Sequence, residues 1–277
     1  MGYTVEHLET SRAEGFQPLP VLRAVLGEML GLKGEPAALL DCGCGTGFFT
    51  RQYARLPGVT ATGLDMDENL LSAARDIAAG EGMDIRFVQG DITALPYQDA
   101  SFDAAVCDIL LEIFPDKTVP IGELCRVCRP GGRVLCMEPN YRSAVYRDPR
   151  LTDEDNRLWI DWMQAGRAFG AGVELPEAMA RCGLQDVQIV PWLWGGVTED
   201  PGAADTAPYL AQREAELEQG RALGLLSEQE AETYRGLFLR TAEARKKGPA
   251  PVLSGIDVYL VCGRKPAEKG VSNADRI

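Results

Sequence analysis

Leu39-Leu40-Asp41-Cys42-Gly43-Cys44-Gly45-Thr46-Gly47 is an apolar strand that ends on an acid and passes into three glycines at alternate positions. Glycine tolerates positive φ and removes the Cβ that would hold a bound molecule off the backbone, so this turn suits close approach of a ligand. A helix begins near Phe48 and would present its N-terminus to the same place. A dinucleotide fingerprint, G-x-G-x-x-G, requires a third glycine where Phe48 stands, so the loop points away from a pyrophosphate.

Working outward, Leu22, Val25, Leu26, Met29 and Leu30 predict an amphipathic helix over 19–31, stopped by Gly31 and Gly34. Downstream, apolar runs at Ala37–Leu40, Val59–Leu64 and Ile85–Val88 alternate with helices that start at Phe48 and Glu68. Further runs at Ala104–Cys107 and Val134–Met137 flank a helical stretch around Val119–Cys128. Strands alternating with helices imply a parallel sheet covered on both faces. The fold class is therefore α/β, a Rossmann-like, seven-stranded, mostly parallel sheet with a helical cap, strands six and seven being read at Val187–Leu193 and Ile256–Cys262.

Composition narrows the function classes. Twenty-eight basic against 41 acidic residues give a net charge of −13, a field that repels phosphate backbones and disfavours nucleic acid as a partner. No apolar run reaches the ~20 residues of a membrane helix, and no leader pattern opens the chain, so no membrane association is expected and the cytoplasm is the expected compartment. The eight cysteines lie mostly in apolar or glycine-rich stretches, and His7 is the one histidine. Cys125 and Cys128 form a CxxC whose helical neighbours Leu124 and Val127 mark it as core, and no second CxxC completes a zinc set.

Asp65 closes the second strand, about twenty residues beyond the first glycines, where a carboxylate can accept both hydroxyls of a ribose. Asp91 closes the third; alone it reads as a turn or helix-cap aspartate before Ile92 sooner than as a ligand. Three acids at the ends of three consecutive parallel strands describe a nucleoside pocket, because ligands in such sheets bind at the carboxyl ends.

These stretches resemble the class I S-adenosylmethionine (SAM) dependent methyltransferases, in particular the small-molecule, type 11 group, over residues 37–140. Asp41-x-Gly43-x-Gly45-x-Gly47 resembles the first motif, Gly63-Leu64-Asp65 the ribose-binding strand end and Gly90-Asp91-Ile92 the adenine-binding turn. The run Leu95 to Asp103 and the turn Arg129-Pro130-Gly131-Gly132 resemble the family's approaches to strands four and five. The resemblance implies SAM as cofactor and S-adenosylhomocysteine as product. It places Asp65 on the ribose hydroxyls, Met66 against the adenine face, Asp91 on the adenine amine and the Ile92 N–H beside it. The backbone of Asp41, Cys42, Gly43, Gly45, Gly47 and Cys107 would meet the methionine portion.

The chain also departs from its relatives. Where many small-molecule members carry histidine after strand four, it reads Leu111-Glu112-Ile113-Phe114, and Asp108-Ile109-Leu110-Leu111 replaces the N/D-P-P-Y of amino-group enzymes. Asp108 and Glu112 are then the candidate bases, with Tyr141 behind them. Asp108, Glu138 and Asn140 offer a set of oxygens for a hard metal, but they also match the strand endings of metal-free members, and no metal is expected.

The expected organisation is an N-terminal helix and cofactor core at 1–140, a helical cap at 141–171, a core helix and strand at 172–194, a helical lid insertion at 195–254, a final strand at 255–266 and a tail at 267–277. Thr152 to Asp155 start a helix in the cap, and Ser227 with Glu230 forms a capping box in the lid. Trp159, Trp162, Trp192 and Trp194 read as core or as a substrate pocket, Tyr141, Arg142 and Tyr146 lie just beyond strand five, and Arg167 reads as an anchor for an acidic substrate or as a solvated residue. The expected function is methyl transfer to a small-molecule acceptor, at oxygen or nitrogen rather than carbon. A non-catalytic SAM-binding sensor or partner subunit, a nicotinamide dehydrogenase and a homodimer contact at the insertion remain open alternatives.

Overall fold

The computed structural model describes residues 4–165 and 171–267. Arg167 and nearly all of the expected tail lie outside the described residues. The chain divides into two units, Met1–Pro139 with Ala171–Trp192 and Val258–Ile277, and Asn140–Gly170 with Leu193–Asp257.

The first unit opens with helices α1 (Val5–Gly15) and α2 (Leu19–Leu30). Strand β1 (Ala37–Cys42), helix α3 (Phe48–Ala54), strand β2 (Val59–Asp65), helix α4 (Glu68–Gly80) and strand β3 (Arg86–Gln89) follow as the predicted alternation. Strand β4 (Phe102–Asp108), a 3-10 turn at Leu111–Ile113, helix α5 (Thr118–Val127), strand β5 (Cys128–Arg147), helix α7 (Ala171–Arg181) and strands β6 (Gln185–Asp200) and β7 (Ala250–Arg264) come next, residues 140–147, 193–200 and 250–257 of these strands belonging to the second unit. The seven strands form one sheet in the order β3-β2-β1-β4-β5-β7-β6, and the pairs among β1 to β5 are parallel.

Successive residues of β1 face opposite sides of the sheet. Leu40 and Cys42 enter a core with Ile121 and Leu124 of α5 and Leu175 and Met179 of α7. Asp41, on the other side, takes a hydrogen bond from Thr50 of α3. Both faces of the sheet are thus helix-covered. Helix α2 ends at Gly31, which adopts a left-handed conformation and returns its N–H to the carbonyls of the last turn, as its sequence predicts. Helix α1 carries no apolar stripe and periodicity misses it; its polar side chains dock on α3 instead.

The second unit contains helices α6 (Asp153–Gln164), α8 (Ala207–Ala222) and α9 (Glu228–Arg245). Its core joins Trp159, Leu217, Leu226, Leu237 and Phe238. Tyr146 stacks on Trp159 with ring centroids 4.9 Å apart, and the indole N–H donates to Thr241 at 3.0 Å. Trp162 meets Tyr234 and Phe238 edge-on, so these two tryptophans are core residues. Thr152 caps α6, and the Ser227–Glu230 capping box is present in both directions.

The helical readings of 141–171 and 195–254 need correction at their margins. Residues 141–147, 195–200 and 250–254 are strand, continuing β5, β6 and β7. Ser143 Oγ accepts the N–H of Asp257 at 2.7 Å, one side-chain tie that accompanies this extension. Such pairing depends on a partner more than a hundred residues away, which local pattern does not reveal.

Leu237→Ala is expected to destabilise the second unit by about 2–5 kcal/mol through cavity formation, and Ser227→Ala by about 1 kcal/mol through loss of the cap. Urea unfolding followed by tryptophan fluorescence, with Trp159 and Trp162 as reporters, checks both.

Candidate active site

The turn after β1 leaves the centre of the sheet in a few residues. The N–H groups of Gly43 and Cys44 both donate to the carbonyl of Leu64 on β2, at 2.7 and 3.0 Å. Gly45 donates to Asp65 Oδ2 at 2.8 Å, while Asp65 Oδ1 accepts the N–H of Asp67 at 3.0 Å. Gly43, Gly45 and Gly47 all have positive φ. A Cβ on Gly47 would stand 2.8 Å from the Phe87 ring and one on Gly43 2.3 Å from Leu110, whereas one on Gly45 would meet nothing within 4 Å. The first two glycines serve packing, and the third exposes backbone on an open side.

The residues read as nucleoside ligands lie at the ends of β2 and β3. Asp65 ends β2 partly exposed, with lone pairs remaining on both oxygens after its two backbone bonds. Met66 follows it with 66% of its surface exposed, an apolar face in solvent next to a carboxylate. Asp91 follows β3, and its carboxylate accepts the Thr93 N–H at 2.8 Å, which with the Thr93 hydroxyl draws it below the usual range. The capping role and a ligand role share this side chain. Ile92 behind it is buried. Cys42 and Cys107 are fully buried at the ends of β1 and β4. Open glycine backbone, an exposed apolar side chain and two carboxylates with spare acceptor capacity fit a nucleoside bearing a cationic tail.

Beneath this rim lie three buried carboxyls. Asp41, 1% exposed, accepts from Thr50 Oγ1 at 2.5 Å and is pushed up to about 7, chiefly by burial. Asp108 accepts from the hydroxyl of fully buried Tyr53 at 2.8 Å; burial and the neighbouring Asp41 hold it well above the carboxylate range. Glu138 is raised to about 8 by burial, although it accepts the N–H groups of Leu110 and Leu111 at 2.8 and 2.6 Å. Asp108 Oδ1 and Glu138 Oε2 have no hydrogen-bond partner among the described residues. The Glu138 contacts hold a strained corner, since Ile109, a β-branched residue, has φ +55°.

The other named candidates fall in several places. Glu112 lies in the 3-10 turn, half-buried. Tyr141 belongs to the second unit, buried among Ala144, Ile256, Ile160 and Met163. Trp194 packs in the same cluster. Of the oxygen set considered for a metal, Asp108 and Glu138 are engaged as above, and the Asn140 side chain accepts the Arg142 N–H at 3.3 Å. No group of three potential ligands is arranged to hold a metal ion among the described residues. All eight cysteines are unpaired, and Cys125 and Cys128 are buried with thiols pushed up to about 12.

Sequence reading missed four contributors. Glu9 on α1 accepts from Thr46 of the glycine turn at 2.5 Å and pairs with Arg51. Arg51, buried on α3, also donates to the Thr46 carbonyl at 2.9 Å and to Glu81 at 3.1 Å. Tyr53 supports Asp108 from the next turn of α3. Arg12 faces the strand-end acids from α1. Only the charged residues of the unpatterned N-terminus hinted at the α1 pair.

Carboxyls that titrate near 4 in the unfolded chain hold their protons to about 7 and 8 at Asp41 and Glu138 when folded. The folded state then binds more protons than the unfolded one between those values, so stability present at low pH is lost as pH rises. The ligand-free chain is expected to melt at falling temperature from about pH 5 to about pH 8 and to level off above, apart from acid unfolding at still lower pH. Asp41→Asn and Glu138→Gln should each flatten the slope in a calorimetric pH series.

A family model described as a methyltransferase domain matches residues 40–136. Demethylmenaquinone methyltransferase of Shouchella clausii is 38% identical over 173 residues, covering 56% of this chain and 74% of that one. Its counterpart in Deinococcus radiodurans is 39% identical over 117 residues, 42% of this chain and 48% of that one, so the chain spans about half the length of this relative. Among solved structures, phosphoethanolamine N-methyltransferase 2 of Haemonchus contortus, in complex with S-adenosyl-L-methionine, superposes with a TM-score of 0.53 at 18% identity over 93% of this chain and 56% of that one, a likeness of fold. The glycine turn, the acids at the strand ends and the extent of the Shouchella match converge: this chain belongs to the SAM-dependent methyltransferases.

Proposed function

We propose that the chain transfers the methyl group of SAM to a small-molecule acceptor through an oxygen or nitrogen atom. The observation that carries this reading is the Gly43–Gly47 turn tied to Asp65, with its open side at Gly45 and Met66 exposed beside it. When bound, the cofactor supplies the activated methyl group on its sulfonium. Asp65 would hold the ribose hydroxyls, Met66 the adenine face, and Asp91 with the Ile92 N–H the adenine edge. The backbone from Asp41 to Gly47 and at Cys107 would orient the amino-acid end, so that the acceptor lone pair meets the methyl carbon in line.

Proton handling falls to Asp108, Glu112 and Tyr141. Asp108, buried against Tyr53 and held well above the carboxylate range by burial and by Asp41, and Glu112 in the 3-10 turn are the proposed bases for a hydroxyl acceptor, with Tyr141 the third candidate. The relatives named for demethylmenaquinone make that quinone one acceptor to test. Eight unpaired thiols support a reducing compartment such as the cytoplasm, and the charge of −13 argues against nucleic acid. No helix among the described residues is long and apolar enough to cross a membrane.

Incubation with SAM and a metabolite extract should release S-adenosylhomocysteine and a methylated product in the mass spectrum. Binding of SAM without any product across extract and quinone panels would instead support a sensor or partner subunit. Asp65→Ala should weaken SAM binding by roughly ten- to a hundredfold, the worth of a charged hydrogen-bonding partner, as calorimetry would measure. Because Asp108 and Glu138 already serve Tyr53 and backbone N–H groups, exhaustive EDTA treatment is expected to leave turnover intact. Loss of activity restored by Mg²⁺ would reinstate a metal at those oxygens.

A further inference from the structure

Helix α1 presents Glu9, Arg12 and Phe16 along one side, at the i, i+3 and i+7 spacing that lines up on a helix, Phe16 lying just past its end. Each meets α3 or the glycine turn. Glu9 is held by Thr46 and Arg51, and Phe16 packs edge-on against Phe49 with centroids 5.0 Å apart. Between them the Arg12 guanidinium lies 6.0 Å from the centre of the Phe49 ring, at the first turn of α3. Its Nη1 donates to the carbonyl of Leu8 at 3.3 Å, one of the five N–H bonds that a guanidinium carries. Burial lowers Arg12 from its ordinary value, while Glu9, Asp108, Asp41 and Asp65 act in the opposite sense. Arginine therefore stands, half-buried, before the acids that end β4, β1 and β2.

The chemistry of the ligand makes this placement consequential. The amino-acid end of SAM carries an ammonium and a carboxylate. Strand-end acids and backbone carbonyls suit the ammonium, but a second carboxylate brought among Asp41, Asp65 and Asp108 would be desolvated and repelled unless a cation met it. Arg51, the buried arginine nearby, is committed to Glu9, Glu81 and the Thr46 carbonyl. Arg12 has donors to spare and the planar fork that matches a carboxylate in two parallel bonds.

We infer that Arg12 receives the carboxylate of the cofactor's amino-acid portion, making α1 part of the cofactor site. This rests on the SAM-binding reading above. It gives the Glu9 clamp a purpose, because Thr46 and Arg51 fix the helix register that aims Arg12 at the strand ends. It also distinguishes this arginine from a plug that merely neutralises the acids and must leave when a cationic ligand arrives.

The test is calorimetric titration of the full chain, as wild type, Arg12→Met and Arg12→Lys, with two probes. S-adenosylhomocysteine contains the carboxylate; 5′-methylthioadenosine keeps the nucleoside and thioether and lacks the whole amino-acid end. The expected result is that Arg12→Met weakens S-adenosylhomocysteine by roughly ten- to a hundredfold, that Arg12→Lys recovers part of the loss, and that methylthioadenosine binds all three proteins within about twofold. Retained methylthioadenosine binding shows that the variant is folded. Equal losses for both probes would assign Arg12 a structural role, and unchanged or tighter S-adenosylhomocysteine binding would make it a bystander or a plug; either overturns the inference while leaving the cofactor reading standing. Failure of the wild type to bind either probe would sink the cofactor reading itself, and this inference with it.

Discussion

A chain leaving the central strand of a parallel sheet must turn at once while its backbone N–H groups lose their strand partners, and the site depends on how that is done here. Two N–H groups, of Gly43 and Cys44, converge on one carbonyl of β2, and a third, of Gly45, goes to the carboxylate of Asp65. Glycine accepts the positive φ values of this path without strain, and at Gly43 and Gly47 it leaves room for Leu110 and Phe87 against the turn. The turn and the end of β2 therefore form one hydrogen-bonded unit. Asp65 is its support, so a change there acts on the shape of the loop as well as on its charge.

Charge is handled by the same economy. Asp41, Asp108 and Glu138 are buried, each given some hydrogen bonding, and each raised above the ordinary carboxylate range by loss of water, Asp41 to about 7 and Glu138 to about 8. A set of partly protonated carboxyls is costly to an empty pocket and favourable to one that receives a cation. That asymmetry favours a sulfonium ligand over an anionic one, in keeping with the missing third glycine of a dinucleotide loop. On α1, Glu9 bridges Thr46 and Arg51, and Arg12 adds a positive charge within electrostatic reach of these acids.

The second unit has its own source of order. Trp159, Phe238, Trp162 and Tyr234 pack ring on ring, and Arg213 lies over Trp159 and Phe238. Arg150 is shared between Asp148 and Asp200 at 2.7 and 2.6 Å and also donates to the Gly248 carbonyl, which ties three segments of this unit together. Such a core can diverge in sequence without disturbing the glycine turn.

What the sequence by itself determined was everything set by local chemistry. Periodicity placed α2 and its glycine stop, alternation placed β1 to β4, the spacing of glycines marked the tight turn after β1, and the capping pairs of α6 and α9 stood where their side chains said. What only the tertiary structure decided involved residues whose role depends on distant partners. Helix α1 has no apolar stripe and owes its place to Glu9 meeting Thr46 and Arg51. The outer reaches of β5, β6 and β7 are strand although their residues suggested cap and lid, a choice that local propensity leaves to the partner strands. Asp108 read as a candidate base, and only the fold shows Tyr53, fifty-five positions earlier, donating to it in a buried setting. Local pattern records what a residue can do with its neighbours in the chain; burial and pairing across the sheet, which set its charge and its reach, exist only once the chain has folded.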